Sequence, residues 1–196
     1  QRFENTRNIV AIQDIGESDP SKIGLPNLPG GFINLPAGAY PRNSSNDFNP
    51  FGINGTAPSV LTSAIRDAAT VQEGFGGVQV ADGSDYVSLE NARKLQGNEY
   101  SLNTQLGYIS LNQRLNNDEV LAVAFQYTVN GNVYQVGEFS TDGVEATGIQ
   151  TTQGGGDPNQ GENEVGIPQN LVVKLLKSNI TNVNEPVWDI MMKNIY

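Results

Sequence analysis

The stretch that decides the fold runs from Tyr100 to Ser140 and reads YSLNTQLGYISLNQRLNNDEVLAVAFQYTVNGNVYQVGEFS. Within it, bulky side chains from Leu121 to Val129 alternate with small or polar ones, the period of a strand with one buried face. Asn130-Gly131 follows, and this dipeptide readily supplies the two positive φ angles of a type I′ turn. The return strand spans Asn132 to Ser140. The sequence therefore predicts a β-hairpin here, within a mainly-β domain.

Other segments extend this prediction in both directions. Apolar runs predict strands at Asn5–Ile15, near Leu106–Leu111 and at Leu171–Leu176. Asn116-Asn117-Asp118 predicts a turn before the main hairpin. We expect a β-sandwich or a curved antiparallel sheet.

One or two short helices are also predicted. Residues 59–71 show helix-compatible apolar spacing, and glycines follow them. Residues 86–95 could form a second helix, with Asp85 as N-cap and Gly97 just past the end. The C-terminal residues 186–195 also fit helical spacing, with Pro186 in the first turn.

The chain divides by composition into three parts. Residues 1–15 hold the first strand. Residues 16–58 hold seven prolines and read either as an extended strap that packs on a surface or as a solvated linker. Residues 59–196 form the mainly-β domain, in which the acidic, Gly-rich residues 141–166 predict a mobile loop. Since the sequence begins with Gln1 and ends within the apolar pattern IMMKNIY, we expect it to be a piece of a longer polypeptide.

Composition argues against several functions. The chain has neither His nor Cys, which removes the commonest general base, the usual zinc ligands and every thiol nucleophile. Its net charge is −10, and residues 115–173 contain eight carboxylates and no basic residue. Nucleic acid and anionic membrane surfaces are therefore unfavourable partners. We expect no enzymatic activity, no catalytic or metal-binding residues and no cofactor.

Carboxylates are the remaining candidates for chemistry. Asp118-Glu119 could form an acid–base pair of a glycosidase, but a solvated turn explains both residues better. Asp82 and Asp85 flank Gly83-Ser84, where turn formation is the simpler role and calcium binding the alternative. A second calcium alternative lies in the acidic loop, with the oxygen ligands Asp157, Asn159, Glu162 and Glu164.

Three further features have plain structural explanations. Gly74-Phe75-Gly76-Gly77 lacks the Gly-Lys-Ser/Thr that would follow in a phosphate-binding loop, so it predicts a flexible loop. Asn-X-Ser/Thr sequences occur at Asn43, Asn54 and Asn179, as expected by chance in a chain rich in Asn. Trp188, Met191 and Met192 could form a partner surface, although core packing explains them more simply.

Several blocks resemble a known family, SprA (also called Sov), the outer-membrane translocons of the type IX secretion system and gliding-motility proteins of Bacteroidetes. The similar blocks are NTRNIVAIQDIGE (Asn5–Glu17), DYVSLENARKL (Asp85–Leu95), EYSLNTQLGYISLN (Glu99–Asn112), DEVLAVAFQYTVNGNVYQVGEFS (Asp118–Ser140), LVVKLLK (Leu171–Lys177) and PVWDIMMKNIY (Pro186–Tyr196). They are spread over most of the chain, and the first and last are the most specific, because neither is a generic β pattern.

The resemblance implies a large outer-membrane β-barrel that exports folded proteins to the cell surface. This chain lacks the repeated girdled strands of a barrel wall, so it resembles an extramembranous part instead. The resemblance implies a role in shaping or capping the pore, with other subunits of the secretion machine, the rest of the barrel polypeptide and secreted cargo as partners. The extracellular side is favoured over the periplasmic side.

The alternative function is a carbohydrate-binding or adhesive β-sandwich domain of a cell-surface protein. Such a domain needs a platform of exposed aromatic side chains. The tyrosines that could supply one are Tyr86, Tyr100, Tyr108, Tyr127 and Tyr134.

Overall fold

The computed structural model of the chain describes residues 6–13, 15, 61–77, 79–129, 131–141, 147–152, 163–180, 183 and 187–188. Within these residues the chain forms strands and two short 3₁₀ turns, at Ser63–Arg66 and Glu73–Phe75. The strands are β1 (Thr6–Ile12), β2 (Tyr86–Arg93), β3 (Tyr100–Asn103), β4 (Tyr108–Leu111), β5 (Leu121–Val123), β6 (Phe125–Val129), β7 (Asn132–Val136), β8 (Thr147–Thr152), β9 (Asn163–Pro168) and β10 (Leu171–Lys177).

Four strands form a central sheet in the order β2-β1-β10-β5. The two inner strands, β1 and β10, run parallel, with Ile9 opposite Leu171 and Ile12 opposite Lys174. The two outer strands are antiparallel to their neighbours. The sheet is therefore mixed, and its centre joins strands from opposite ends of the sequence.

Both faces of this sheet are covered, as is typical of parallel strand pairs. The side chains of β1 alternate between the faces, because Val10 and Ile12 belong to one apolar cluster and Ala11 to another. Members of the first cluster come mainly from β1 and the segment with the 3₁₀ turns: Val10, Ile12, Ile15, Leu61, Ile65, Val71, Phe75, Tyr86, Val136 and Val172. Members of the second come mainly from β10: Ala11, Val87, Leu171, Val173, Leu175 and Val187.

The other six strands form three separate two-stranded antiparallel sheets, β3–β4, β6–β7 and β8–β9. In the second hairpin, Tyr127 lies opposite Tyr134 and Val129 opposite Asn132. Gly131 has a φ of 84°, which agrees with the positive φ expected for an Asn-Gly turn. The predicted hairpin and the mainly-β fold class are thus confirmed.

The predicted strand of the main hairpin is interrupted at Ala124. Residues before the break pair with β10 in the central sheet, and residues after it pair with β7. The predicted strands at the N-terminus and at Leu171 are confirmed as β1 and β10. The turn at Asn116–Asp118 is also confirmed, since the Glu119 amide donates to the Asn116 carbonyl at 3.3 Å.

Two helix predictions are wrong. Residues 86–93 form strand β2, because pairing with β1 on both sides of a bulge outweighs a weak helical pattern. In the 59–71 segment, the described residues make only the 3₁₀ turn Ser63–Arg66. Of the predicted C-terminal helix, the structure describes residues 187–188 alone, and both are helical.

The remaining predictions of organisation concern two polar segments. The 16–58 strap lies outside the described residues. The 141–166 segment, predicted to be a loop, contains β8 and part of β9, which pair from Thr147 opposite Pro168 to Thr152 opposite Asn163. Its Gly-rich centre, residues 153–162, lies outside the described residues.

Candidate functional site

A buried ion pair joins two parts of the chain that lie 72 positions apart. The Arg66 guanidinium donates to both carboxylate oxygens of Glu138, at 2.5 Å from Nη1 and 2.6 Å from Nη2. The Glu138 side chain is fully buried and that of Arg66 is 16% exposed. Arg66 ends a 3₁₀ turn and Glu138 follows β7, so the pair fixes that turn against the base of the β6–β7 hairpin.

Backbone groups of β10 complete this cluster. The Glu138 amide donates to the Val172 carbonyl at 2.8 Å, and the Val172 amide donates to Glu138 Oε2 at 2.7 Å. Asn170 is fully buried and donates through Nδ2 to the Ile65 carbonyl at 2.9 Å. The backbone carbonyl of Asn170 accepts a hydrogen bond from Arg66 Nη1 at 3.1 Å. Both carboxylate oxygens are therefore committed to protein donors.

Gly137 directs Glu138 into the core. Its φ is +76°, and a Cβ there would lie 3.2 Å from the Cβ of Ala124 and 3.3 Å from the Val123 carbonyl oxygen. Any other residue here would have an unfavourable φ, and its side chain would crowd Val123 and Ala124 at the strand break. The glycine thus permits the bend that places a carboxylate beside β10.

Arg7 on β1 lies in the field of the same cluster. Burial lowers the pKa of Arg7, Glu138 opposes this shift, and the Arg66 charge adds to it. A carboxylate that is buried, doubly paired with Arg66 and bonded to a backbone amide is poorly placed for proton exchange with a substrate. The cluster suits the role of a structural fastener.

The carboxylates singled out in the sequence occupy turns. Asp85 Oδ2 accepts from the Ala81 amide at 2.7 Å, and its carbonyl accepts from the Gln13 amide at 2.9 Å. Burial raises the pKa of Asp85, and the bond from Ala81 opposes that shift. Asp85 therefore closes the turn before β2, and the predicted helix cap is wrong because no helix follows. Asp82 lies in the same turn and is exposed.

The Asp118-Glu119 pair is exposed and lies at the turn before β5. Glu119 Oε2 accepts from the Asn116 amide at 2.6 Å. The Lys177 ammonium donates to the carbonyls of Glu119 and Asn117. Burial lowers the pKa of Lys177, while the charges of Glu119 and then Asp118 oppose the shift. These contacts agree with the solvated-turn interpretation.

In the described part of the chain, no group of three acidic side chains lies close enough together to hold a metal ion. Asp157, Asn159 and Glu162 lie outside the described residues, and only the backbone of Glu164 is described. Among the sequon asparagines, Asn179 is exposed. Asn43 and Asn54 lie outside the described residues.

The glycine cluster at residues 74–77 follows a packing requirement. A Cβ on Gly74 would lie 2.5 Å from the backbone nitrogen of Ile65, so the two 3₁₀ turns touch at this point. Near the C-terminus, Val187 is buried in the second cluster and Trp188 is half-buried, while Met191 and Met192 lie outside the described residues.

The candidate tyrosines are dispersed in the described structure. Tyr86 is buried. Its ring centroid lies 4.9 Å from that of Phe75, and its hydroxyl donates to Gln72 Oε1 at 2.9 Å. Tyr100 and Tyr127 lie on different hairpins. The side chain of Tyr134 is not described.

The β3–β4 hairpin presents an open apolar surface. Cross-strand register places Tyr100 opposite Leu111 and Leu102 opposite Ile109, so these four side chains share one face, which we call the β3–β4 apolar face. Leu102 is 57% exposed, and Leu106 in the connecting turn is 75% exposed. Exposed apolar surface of this kind is typical of protein interaction sites.

The β6–β7 hairpin shows a smaller surface of the same type. Phe125 is 41% exposed and stacks on Tyr127 with ring centroids 6.0 Å apart. Val133 is 58% exposed, but it pairs with Thr128 and so belongs to the opposite face. The apolar residues of this hairpin are therefore divided between two faces.

Sequence reasoning missed the Arg66–Glu138 pair. A single carboxylate between Val136 and Phe139 was a detectable signal that Glu138 is buried with a partner. Its partner lies 72 positions away, and no local pattern points to it.

Among the described residues, no helix has the length and apolar character needed to cross a membrane. A family model for the N-terminal region of SprA, described as motility related/secretion protein, matches residues 1–134 of this chain. The chain therefore belongs to this motility and secretion family, whose role points to the cell envelope. No curated protein matches it.

Proposed function

We propose that this member of the motility-related and secretion family is a non-catalytic extramembranous domain of a large outer-membrane protein-export channel. In this role it shapes or caps the pore and contacts partner subunits or cargo. The family match over residues 1–134 is the observation that carries the proposal. It supports a part in secretion, while the position beside the pore is our extension of it.

The described geometry is compatible with a role based on shape. The side chains of Arg66 and Glu138 bind each other inside the fold, and the buried Asn170 side chain donates to the Ile65 carbonyl. Exposed apolar side chains lie on the β3–β4 and β6–β7 hairpins, including Leu102, Leu106 and Phe125. A domain that holds its sheet rigid and projects apolar ribbons is suited to contact with other proteins.

Deletion of residues 59–196 from the full-length protein tests the proposal. We expect secretion to be abolished or deregulated while the rest of the protein still reaches the envelope. Secretion is measured as cargo in the culture medium, and the amount of protein in envelope fractions is measured in parallel. Normal secretion from a strain with normal envelope levels would contradict the proposal.

A point variant separates loss of the domain from loss of its folding. Glu138→Ala removes the buried fastener and should reproduce part of the deletion defect, because it destabilises the domain. The matched control is Glu99→Gln, which removes the exposed ion pair that Glu99 makes with Arg93. That strain should secrete normally.

A further inference from the structure

The β3–β4 hairpin differs from the rest of the chain in its charge. Residues 100–113 contain no Lys, Arg, Asp or Glu, although the whole chain has a net charge of −10. Exposed strand edges usually carry charged side chains that prevent pairing with other chains. The hairpin lacks this protection on both strands.

Its two edges and one face are open in the described structure. Strands β3 and β4 pair only with each other among the described residues, so each leaves one edge of backbone donors and acceptors unpaired by a strand. A two-stranded ribbon is only marginally stable in water and usually needs a further strand or a covering layer. One open edge and the β3–β4 apolar face can be satisfied together by one added strand whose alternate side chains are apolar.

The residues around the hairpin indicate the charge of that strand. Arg93 and Lys94 precede it and Arg114 follows it. Arg93 is paired with Glu99 at 2.7 Å and also lies in the field of Glu119. Lys94 and Arg114 are exposed and have no carboxylate within 4.0 Å among the described residues. Two cations therefore lie near the base of the uncharged hairpin, where the chain enters and leaves it.

From these observations we infer that the β3–β4 apolar face docks an extended, acidic segment of another polypeptide, with apolar side chains at alternate positions. This inference rests on the proposed function and names the chemistry of a partner. Apolar side chains of the segment cover Leu102 and Leu106, its backbone extends the ribbon, and its carboxylates meet Lys94 and Arg114.

Two synthetic peptides of alternating residues test the inference on the 196-residue chain. One alternates Val with Glu and the other Val with Lys, and each carries a fluorescent label for anisotropy titration. Because each exposed ion pair contributes a factor of a few, we expect the Glu peptide to bind about tenfold more tightly than the Lys peptide. Equal binding of the two peptides, or binding of neither, would overturn the inference.

Variants of the chain locate the binding. Leu102→Asn should weaken binding of the Glu peptide about fivefold or more, since it removes a central apolar contact. Ser101→Asn, on the opposite face of the same strand, is the matched control and should bind as the unmodified chain does. The double variant Lys94→Glu with Arg114→Glu should prefer the Lys peptide. An unchanged affinity in Leu102→Asn would assign the binding to another surface and refute the inference.

Two other occupants give distinct results. Binding to vesicles of a 3:1 mixture of zwitterionic and anionic lipid, with no peptide binding, would assign the face to a membrane instead. Self-association in sedimentation that Leu102→Asn abolishes, again with no peptide binding, would assign it to a second copy. If the peptides fail to bind but the deletion strain fails to secrete, only the docking inference falls. If they bind as expected and that strain secretes normally, the proposed function falls.

Discussion

Removal of the Glu138 carboxylate should cost more stability than any other single charge change in the described structure. Glu138→Ala leaves the Arg66 guanidinium without its two short bonds and the Val172 amide without its acceptor. Because the Glu138 side chain is fully buried and that of Arg66 is 16% exposed, solvent can replace little of what is lost. Breaking a buried pair by removing one partner typically costs about 3–5 kcal/mol. A domain of this kind is stable by only about 5–15 kcal/mol, so the loss is a large fraction of the total.

The double variant Arg66→Met with Glu138→Leu gives the decisive comparison. Replacing both charges by apolar side chains of similar volume removes the desolvation penalty together with the attraction. Such replacements are often neutral or stabilising. The double variant should therefore be clearly more stable than Glu138→Ala, with a coupling of about 1–3 kcal/mol between the two sites.

Urea unfolding at pH 7 provides the assay, with fluorescence of Trp188, the single tryptophan, as the signal. The free energy of unfolding comes from the midpoint and slope of each transition. Glu99→Gln serves as a control, because its ion pair with Arg93 is exposed, and its transition should nearly coincide with that of the unmodified chain. A loss below about 1 kcal/mol for Glu138→Ala, or a double variant as unstable as Glu138→Ala, would refute the reasoning.

Three further predictions use the same unfolding assay. Gly137→Ala should lower the free energy of unfolding by about 1–3 kcal/mol, and by more than Gly107→Ala does. Both glycines have a positive φ, but a Cβ at Gly107 would meet nothing within 4 Å. Equal losses would show that the approach of Gly137 to Ala124 is unimportant. Ile12→Ala should cost about 2–5 kcal/mol, since Ile12 is fully buried at the centre of the first cluster, and a smaller loss would contradict its central position. Burial raises the pKa of Asp85, so this group favours folding below its unfolded-state pKa and this contribution disappears as pH rises through the higher folded-state pKa. Asp85→Asn should abolish this loss of stability between the two pKa values. An unchanged dependence of the free energy of unfolding on pH would show that Asp85 is not its source.

Local patterns predicted the elements that local chemistry controls. Asn130-Gly131 predicted the β6–β7 hairpin, and the alternation around Leu121 predicted its first strand. The same alternation could not reveal the break at Ala124, because the break depends on the close approach of Gly137 from the returning strand. The pattern within one strand does not show which neighbouring strand each half pairs with.

Long-range pairing accounts for the larger errors. Residues 86–95 carry helix-compatible spacing and a capping residue, yet their partner β1 lies about 80 positions earlier, with Tyr86 opposite Ile12. Asn91 even adopts a positive φ of 55° within this strand, next to a bond from its amide to the Asn8 side chain. Tertiary contacts of this kind override weak local preferences, and they cannot be derived from a window of ten residues. The β3–β4 apolar face was missed for the same reason, because its exposure depends on which strands lie against it.

The centre of the sheet also determines how the domain responds to force along the chain. Because β1 and β10 run parallel, the start of β1 at Thr6 and the end of β10 at Lys177 lie at opposite ends of their shared ladder. A pull between these points loads the ladder in shear, so its hydrogen bonds must break together. A pull between Thr6 and Arg93, which are directly opposite in the antiparallel β1–β2 pair, would instead open the bonds one after another. Apolar clusters cover both faces of β1 and β10, and Glu138 bonds to Val172 at the start of β10, so we expect the fold to resist this pull better than a pull across the β1–β2 pair. That property suits a domain whose proposed work is to keep its shape beside moving cargo.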